Sequence, residues 1–335
     1  MNDESSKKYN KILSLLCIGL VFSLLFSLFV GRYEIKLTDF FGLLTGNISE
    51  SSKNVLLNIR VPRAIVALLS GGALGLSGSI FQKAFRNPLA SPDIIGISSG
   101  ASLGGAISIV FISTSLATTQ ILSFIFGILS LFLVILIANS NRDNKIFSLV
   151  VSGVIINSLS SAFLMFIKYT ADPEQKLPAV EYFLMGGLYN TRRHHIVYLG
   201  VIIVFCLVIL QKFKWRFTVL SLDDDEILAL GINPSKTRFF MLSLASLLVS
   251  TAVSICGVIG FIGLIAPYIA RLLTEKLNKG NMRLSFIIGA IILSISDMIA
   301  RTISSSEIPV GIIISIISTP ILIFMLTKSG ASENV

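Results

Sequence analysis

About ten stretches of this chain are apolar and long enough, or nearly so, to cross a bilayer, and that repetition constrains the fold more than any other feature. A helix rising 1.5 Å per residue needs about 20 apolar residues to span a hydrocarbon core of roughly 30 Å. The runs are 12–30, 62–82, 94–111, 121–139, 146–167, 195–211, 237–256, 258–274, 284–302 and 308–327. Lipid offers backbone groups no water, so each run has to satisfy its own hydrogen bonds, as a helix does. The expected fold class is therefore all-α, a polytopic membrane protein of about ten transmembrane helices with 1–335 as a single transmembrane domain. Charge content agrees: 13% of residues are charged, against about 25% in soluble domains, too few to coat a globule in water. The runs at 94–111 and 258–274 are short and glycine-rich. After Cys256, Gly257 leaves room only for a tight turn, tolerable where it is buried in protein.

The net charge of +9 does not point to nucleic acid, because the basic residues sit in short clusters between apolar runs. Lys7, Lys8 and Lys11 precede the first run, Lys212, Lys214 and Arg216 follow the sixth, and Arg271, Lys276, Lys279 and Arg283 flank the joint after the eighth. Cations concentrated on one side set orientation, and they place both termini in the cytoplasm. The first run is longer than a signal peptide's apolar region and no small-residue cleavage site ends it, so it is expected to stay as an uncleaved helix. Two halves of five helices each would lie in opposite orientation, an inverted-topology repeat.

Two hydrophilic segments interrupt the pattern. The outer one, 168–194, carries Pro173 and Pro178, and its stretch 179–188 is expected as a short interfacial helix. The inner one, 212–238, contains a small predicted helix: Ser221 as N-cap, Asp223, Asp224, Asp225 and Glu226 around the first turn, and Gly231 stopping it before Pro234. Leu222, Leu228 and Leu230 give it an apolar surface suited to a partner's groove; a solvated helix without a partner is the plain alternative. Gly71, Gly75 and Gly78, then Gly96, Gly100 and Gly104, are spaced for close helix packing. Gln82 precedes a rigid reversal built on Asn87, Pro88 and Pro92. Gly257, Gly260 and Gly263 thin one side of a helix that Pro267 can kink and Arg271 can anchor at the cytoplasmic surface. Asp297 and Arg301 are spaced i, i+4 and can pair near an outer helix end.

Nothing here assembles into catalysis. Cys17, Cys206 and Cys256 lie inside apolar runs with no metal-ligand spacing, so they read as packing residues. The adjacent His194 and His195 would point about 100° apart on a helix and read as solvated surface. The stretch Gly231–Thr237 lacks the glycine that a phosphate-binding loop needs before its lysine. Asp93, Asp297 and Glu307 fall near helix ends, not centres, which argues against an ion-coupled secondary transporter.

Taken in order, Arg60-Val-Pro-Arg63, the glycine–Gln82–Asn87-Pro88 segment, Leu228-Ala-Leu230-Gly231-Ile-Asn233, the Gly257–Gly263–Pro267–Arg271 segment and Glu307-Ile-Pro309-Val-Gly311 resemble a known family. It is that of the FecCD-type permease subunits of ABC importers for iron siderophores, haem and vitamin B12 (type II importers), and the resemblance spans about 60–320. Two departures are Tyr268, where the family usually has His, and Ser296 before Asp297. The resemblance implies a permease in the bacterial cytoplasmic membrane that binds no cofactor and catalyses nothing. Its partners would be a second permease subunit, identical or different, cytoplasmic ATP-binding subunits that use ATP and Mg, an extracytoplasmic substrate-binding protein or lipoprotein, and the bilayer. Arg60, Arg63 and Arg301 would dock the binding protein, and Leu222 to Gly231 would couple to the ATPase. The fifth and tenth helices, about 146–167 and 308–327, would line the pathway. A ferric siderophore is the expected cargo, with haem or cobalamin as alternatives.

Overall fold

A computed structural model describes residues 3–332 apart from 37, 40, 41, 43, 44, 47, 140–144, 275–280 and 305. Arg142, Lys276 and Lys279, expected on the inner side, lie outside the described residues. The chain forms helices α1 (Asp3–Phe29), α2 (Glu50–Ala84), α3 (Ile97–Ile112), α4 (Leu116–Ala138), α5 (Lys145–Thr170), α6 (Lys176–Met185) and α7 (Arg193–Lys212). After them come α8 (Lys214–Val219), α9 (Asp224–Ala229), α10 (Pro234–Cys256), α11 (Ile262–Thr274), α12 (Asn281–Ala300) and α13 (Val310–Ser332). Among the described residues seven helices are long and apolar enough to cross a membrane: α1, α2, α4, α5, α7, α10 and α12. The remaining runs expected from the sequence coincide with the shorter apolar helices at Ile97–Ile112, Ile262–Thr274 and Val310–Met325.

Three boundaries differ from expectation. The helix expected at 62–82 runs from Glu50, with a widened π turn over Val55–Arg60, so α2 projects beyond the apolar run that marks it. The small helix expected at 179–188 is Lys176–Met185, its start set by Asp172, whose carboxylate accepts from the N–H groups of Glu174 and Gln175 and is held below the usual carboxylate range by them. The run at 258–274 becomes helical only at Ile262. Before it, Gly257 has φ +68° and Phe261 φ +63°, a left-handed backbone that glycine adopts without penalty and phenylalanine does not.

That break is stitched to two other segments by main-chain bonds. Gly187 N donates to Cys256 O at 2.7 Å, and Val310 N donates to Gly186 O at 3.0 Å. The unhelical backbone is thus buried against protein, the condition under which a membrane tolerates it.

The α2 and α10 helices are the most enclosed of the long helices, while α1 shows most of its surface, including Ile18 and Phe22, outward. A glycine seam explains the enclosure of α2. A Cβ at Gly71, Gly75 or Gly78 would fall on the carbonyl oxygens of Gly289, Ser285 and Gly263, so α12 and α11 pack backbone to backbone on one side of α2. Apolar side chains gain little over lipid by meeting each other, so such close approach is what drives helix association in a bilayer. Gly260 has open space around it and takes no part, contrary to expectation.

Candidate functional site

Charged side chains gather at the two ends of α2. Near its start, Arg63 is buried and donates through Nε to Asp297 Oδ1 at 2.9 Å and through Nη1 to both Glu307 oxygens at 3.0 Å. Arg301, also buried, donates to Ser27 O at 2.6 Å and Ser27 Oγ at 2.7 Å, and its Nε lies 3.6 Å from Asp297 Oδ2. Arg60 donates to the carbonyls of Leu28 (2.7 Å), Phe29 (2.9 Å) and Tyr33. These arginines therefore tie the end of α1, α2, the end of α12 and the Glu307–Pro309 lead into α13. Tyr182 adds α6 by donating to Glu307 O at 3.1 Å.

Arg60, Arg63 and Arg301, expected to dock a binding protein, are all enclosed within this chain, and most of their donors meet acceptors of the chain, while Arg301 Nε lacks a hydrogen-bond partner among the described residues. The i, i+4 pair was also a partial guide: the firm partner of Asp297 is Arg63, not Arg301. Sequence reasoning missed it because the two residues stand 234 positions apart.

At the other end, Arg238 is fully enclosed and donates to Ala84 O at 2.8 Å and Asp224 Oδ1 at 2.8 Å. Arg86, just past α2, pairs with Asp223 and reaches Asp224 Oδ1 at 3.3 Å. Neither arginine was singled out from the sequence: Arg238 follows the acidic loop 14 positions after Asp224, whereas Arg86 stands 137 positions before Asp223. The helix α9 that they hold is capped by Asp223, not Ser221. The Asp223 side chain accepts from the Glu226 backbone N–H, and Glu226 Oε2 accepts from Asp223 N at 3.2 Å, a reciprocal capping box. Gly231 with φ +72° ends the segment as expected. One apolar residue, Ile227, is buried at 0%, whereas Leu222 (38%), Leu228 (55%) and Leu230 (50%) are exposed. Asp225 and Glu226 are exposed beside them.

Next to this loop, Gln82, Asn87, Pro88, Pro267 and Arg271 line one cleft of about 300 Å³ together with Lys83, Arg86 and Ser221. The geometry explains why the chain brings them together. Asn87 Oδ1 accepts from Leu89 N at 2.8 Å, fixing the reversal, and Gln82 Nε2 donates to Leu264 O at 3.1 Å across to α11. Gly263 lies against Pro92 and the α2 backbone, outside the cleft's lining. Gly257 belongs elsewhere, against Phe183 of α6. His195 also departs from expectation: it is buried, its Nδ1 accepts from Arg192 N at 3.0 Å and its Nε2 lies 3.0 Å from Gln120 Nε2, while His194 stays exposed.

The family model described as the FecCD transport family matches residues 19–328. The molybdate import system permease protein MolB of Haemophilus influenzae is 33% identical over 333 residues, 97% of this chain and 98% of that protein. The "probable iron chelatin transport system permease protein" of Helicobacter pylori (strain 26695) is 38% identical over 277 residues, 82% of this chain and 83% of its own. Among solved structures, an inward-facing metal-chelate type ABC transporter superposes with TM-score 0.87 at 33% identity, covering 96% of this chain and 100% of that one.

Proposed function

The chain belongs to the FecCD transport family, and from that premise we propose that it is the membrane-spanning permease of an ATP-driven importer for a ferric siderophore. The match across residues 19–328 carries the assignment, and α9 supplies its mechanism. ATP-binding subunits on the cytoplasmic side would seat Leu222, Leu228 and Leu230, which are exposed on and beside α9 among the described residues. A push on α9 passes through Asp224 to Arg238 on α10 and, by the Ala84 carbonyl, to α2. The termini would lie inside, with ten crossings and a second permease subunit completing the path along α5 and α13. An inverted repeat of five helices accounts for one regularity: the third and eighth apolar helices, α3 and α11, are both short and both follow a left-handed residue, Gly96 and Phe261. Interrupted segments at matching places in two halves are a mark of such repeats. An extracytoplasmic binding protein would deliver the cargo, docking on the end of the molecule at which Arg60, Arg63 and Arg301 lie.

A second cargo has its own observation, the 33% identity to a molybdate permease over 97% of this chain. The experiment is uptake of labelled ferric siderophores, haem, cobalamin and molybdate by a strain lacking this chain, with and without the gene restored. Restored uptake of a ferric siderophore alone supports the assignment, and restored molybdate uptake alone replaces it. Transport that proceeds without a co-purifying ATPase and collapses with an uncoupler sinks the importer class altogether.

A further inference from the structure

On the face of the molecule that carries the 212–238 segment, an apolar groove runs into a polar cleft between α1, α7 and α12. The groove, about 690 Å³, is lined by Leu13, Val208, Phe286 and Ile287, and by two cations, Lys212 and Arg283. The cleft, about 610 Å³, shares Arg283 with it and adds Lys83, Lys214 and the hydroxyls of Ser6 and Thr218. Among the described residues no acidic side chain lines either space. Nor, among them, does any carboxylate pair with Lys83, Lys212, Lys214 or Arg283. Lys83 instead sits 4.4 Å over the Phe217 ring.

We infer that this groove and cleft form one binding site for an anionic phospholipid of the adjoining leaflet, its acyl chain in the groove and its phosphate in the cationic cleft. Val208 is 61% exposed on a helix apolar enough to cross a membrane, so the groove opens toward lipid. Clustered cations that find no carboxylate in the chain are stabilised by an anion brought from outside, and basic pockets between helices at the membrane surface take lipid headgroups for this reason. A free phosphate would satisfy the cations and leave the apolar groove unused. An acyl chain uses both, since each buried methylene adds to binding.

Native mass spectrometry of the full chain, purified in detergent and titrated with phosphatidylglycerol or phosphatidylcholine of identical chains, tests this. Each cation near an anionic headgroup contributes roughly fivefold, so the wild type should retain phosphatidylglycerol at least about tenfold more strongly. Lys212→Gln, Lys214→Gln and Arg283→Gln together should erase the preference. Ile287→Trp, which fills the groove and keeps the cations, should lower retention of both lipids. Lys36→Gln with Lys53→Gln, far from the site, should behave as wild type. Equal retention of both lipids by the wild type overturns the site. So does a preference that survives the triple variant, the same loss in the distant pair, or displacement by glycerol phosphate at matched concentration. If the triple variant does not fold, Ile287→Trp decides, and unchanged retention there overturns the site.

Discussion

At one end of α2, Arg63 is enclosed and shared between Asp297 and Glu307; at the other, Arg86 and Arg238 grip Asp224 while the helix beside it keeps three leucines in the open. From Arg63 to Ala84 the helix rises about 32 Å at 1.5 Å per residue, roughly the thickness of a hydrocarbon core. Both clusters are built of arginines and carboxylates, yet they do different work. In the first, the arginines and Asp297 are enclosed, Glu307 is part-exposed, and four helices are tied together. In the second, one enclosed guanidinium serves as the fixed point for a small helix that keeps Leu228 exposed. What sets the second apart is an anchored element with apolar and acidic side chains left exposed.

The sharpest way to break the comparison is Asp297→Ala. It leaves Arg63 and Arg301 buried beside a lost carboxylate, and removing one partner of such a pair costs about 3–5 kcal/mol. The apparent melting temperature of detergent-solubilised protein should fall steeply, and Asp297→Asn, which keeps the shape, should fall less. Reversing Arg60, Arg63 and Arg301 together should likewise deplete folded protein in the membrane, measured by fluorescence-detected size exclusion. Normal yield of that variant would mean the cluster is not the lock described. At the other end, Asp224→Ala leaves Arg238 with the Ala84 carbonyl alone, a loss of about 1–3 kcal/mol, and should also uncouple ATP hydrolysis from uptake. Glu226→Ala opens one side of the capping box and costs about 0.5–1 kcal/mol, seen as faster amide exchange across 223–229. Smallest in stability, within about 0.5 kcal/mol, should be Leu228→Asp with Leu230→Asp. The same variant should abolish coupled uptake, so that stability and function separate at this end and fall together at the other.

Much of the fold was legible because a bilayer demands length and apolarity, and both are local. Each apolar run coincides with a helix, and even the weak signals at 94–111 and 258–274 mark α3 and α11. The extension of α2 back to Glu50 was not legible, since its first turn, Glu50–Asn54, is polar and no apolar run records it. The acidic 212–238 segment was half legible: composition located the helix, while its cap depended on whether Ser221 or Asp223 faced the first free N–H groups. Arg238 was hidden because a basic residue at the start of an apolar run looks like an interfacial anchor, and only the three-dimensional path brings Asp224 and Ala84 to it. The inward turn of Arg63 was hidden for the same reason, its partners lying more than two hundred residues away.

The main-chain stitch among Gly186, Gly187, Cys256 and Val310 has a consequence for how this protein can vary. Amide and carbonyl groups are common to every residue but proline, so side-chain exchange at Cys256 or Val310 leaves the donors and acceptors as they were, whereas Gly186, at φ +69° with the Val258 carbonyl where a Cβ would stand, has to stay glycine. Counting, on the other hand, cannot be relaxed. One residue added or removed between Leu184 and Leu188 would shift the spacing of the Cys256 and Val310 knots together, and no second-site replacement elsewhere could restore the alignment. Tolerance of spelling and intolerance of length should thus coexist within a few residues, at the point where α6, α10 and α13 are tied.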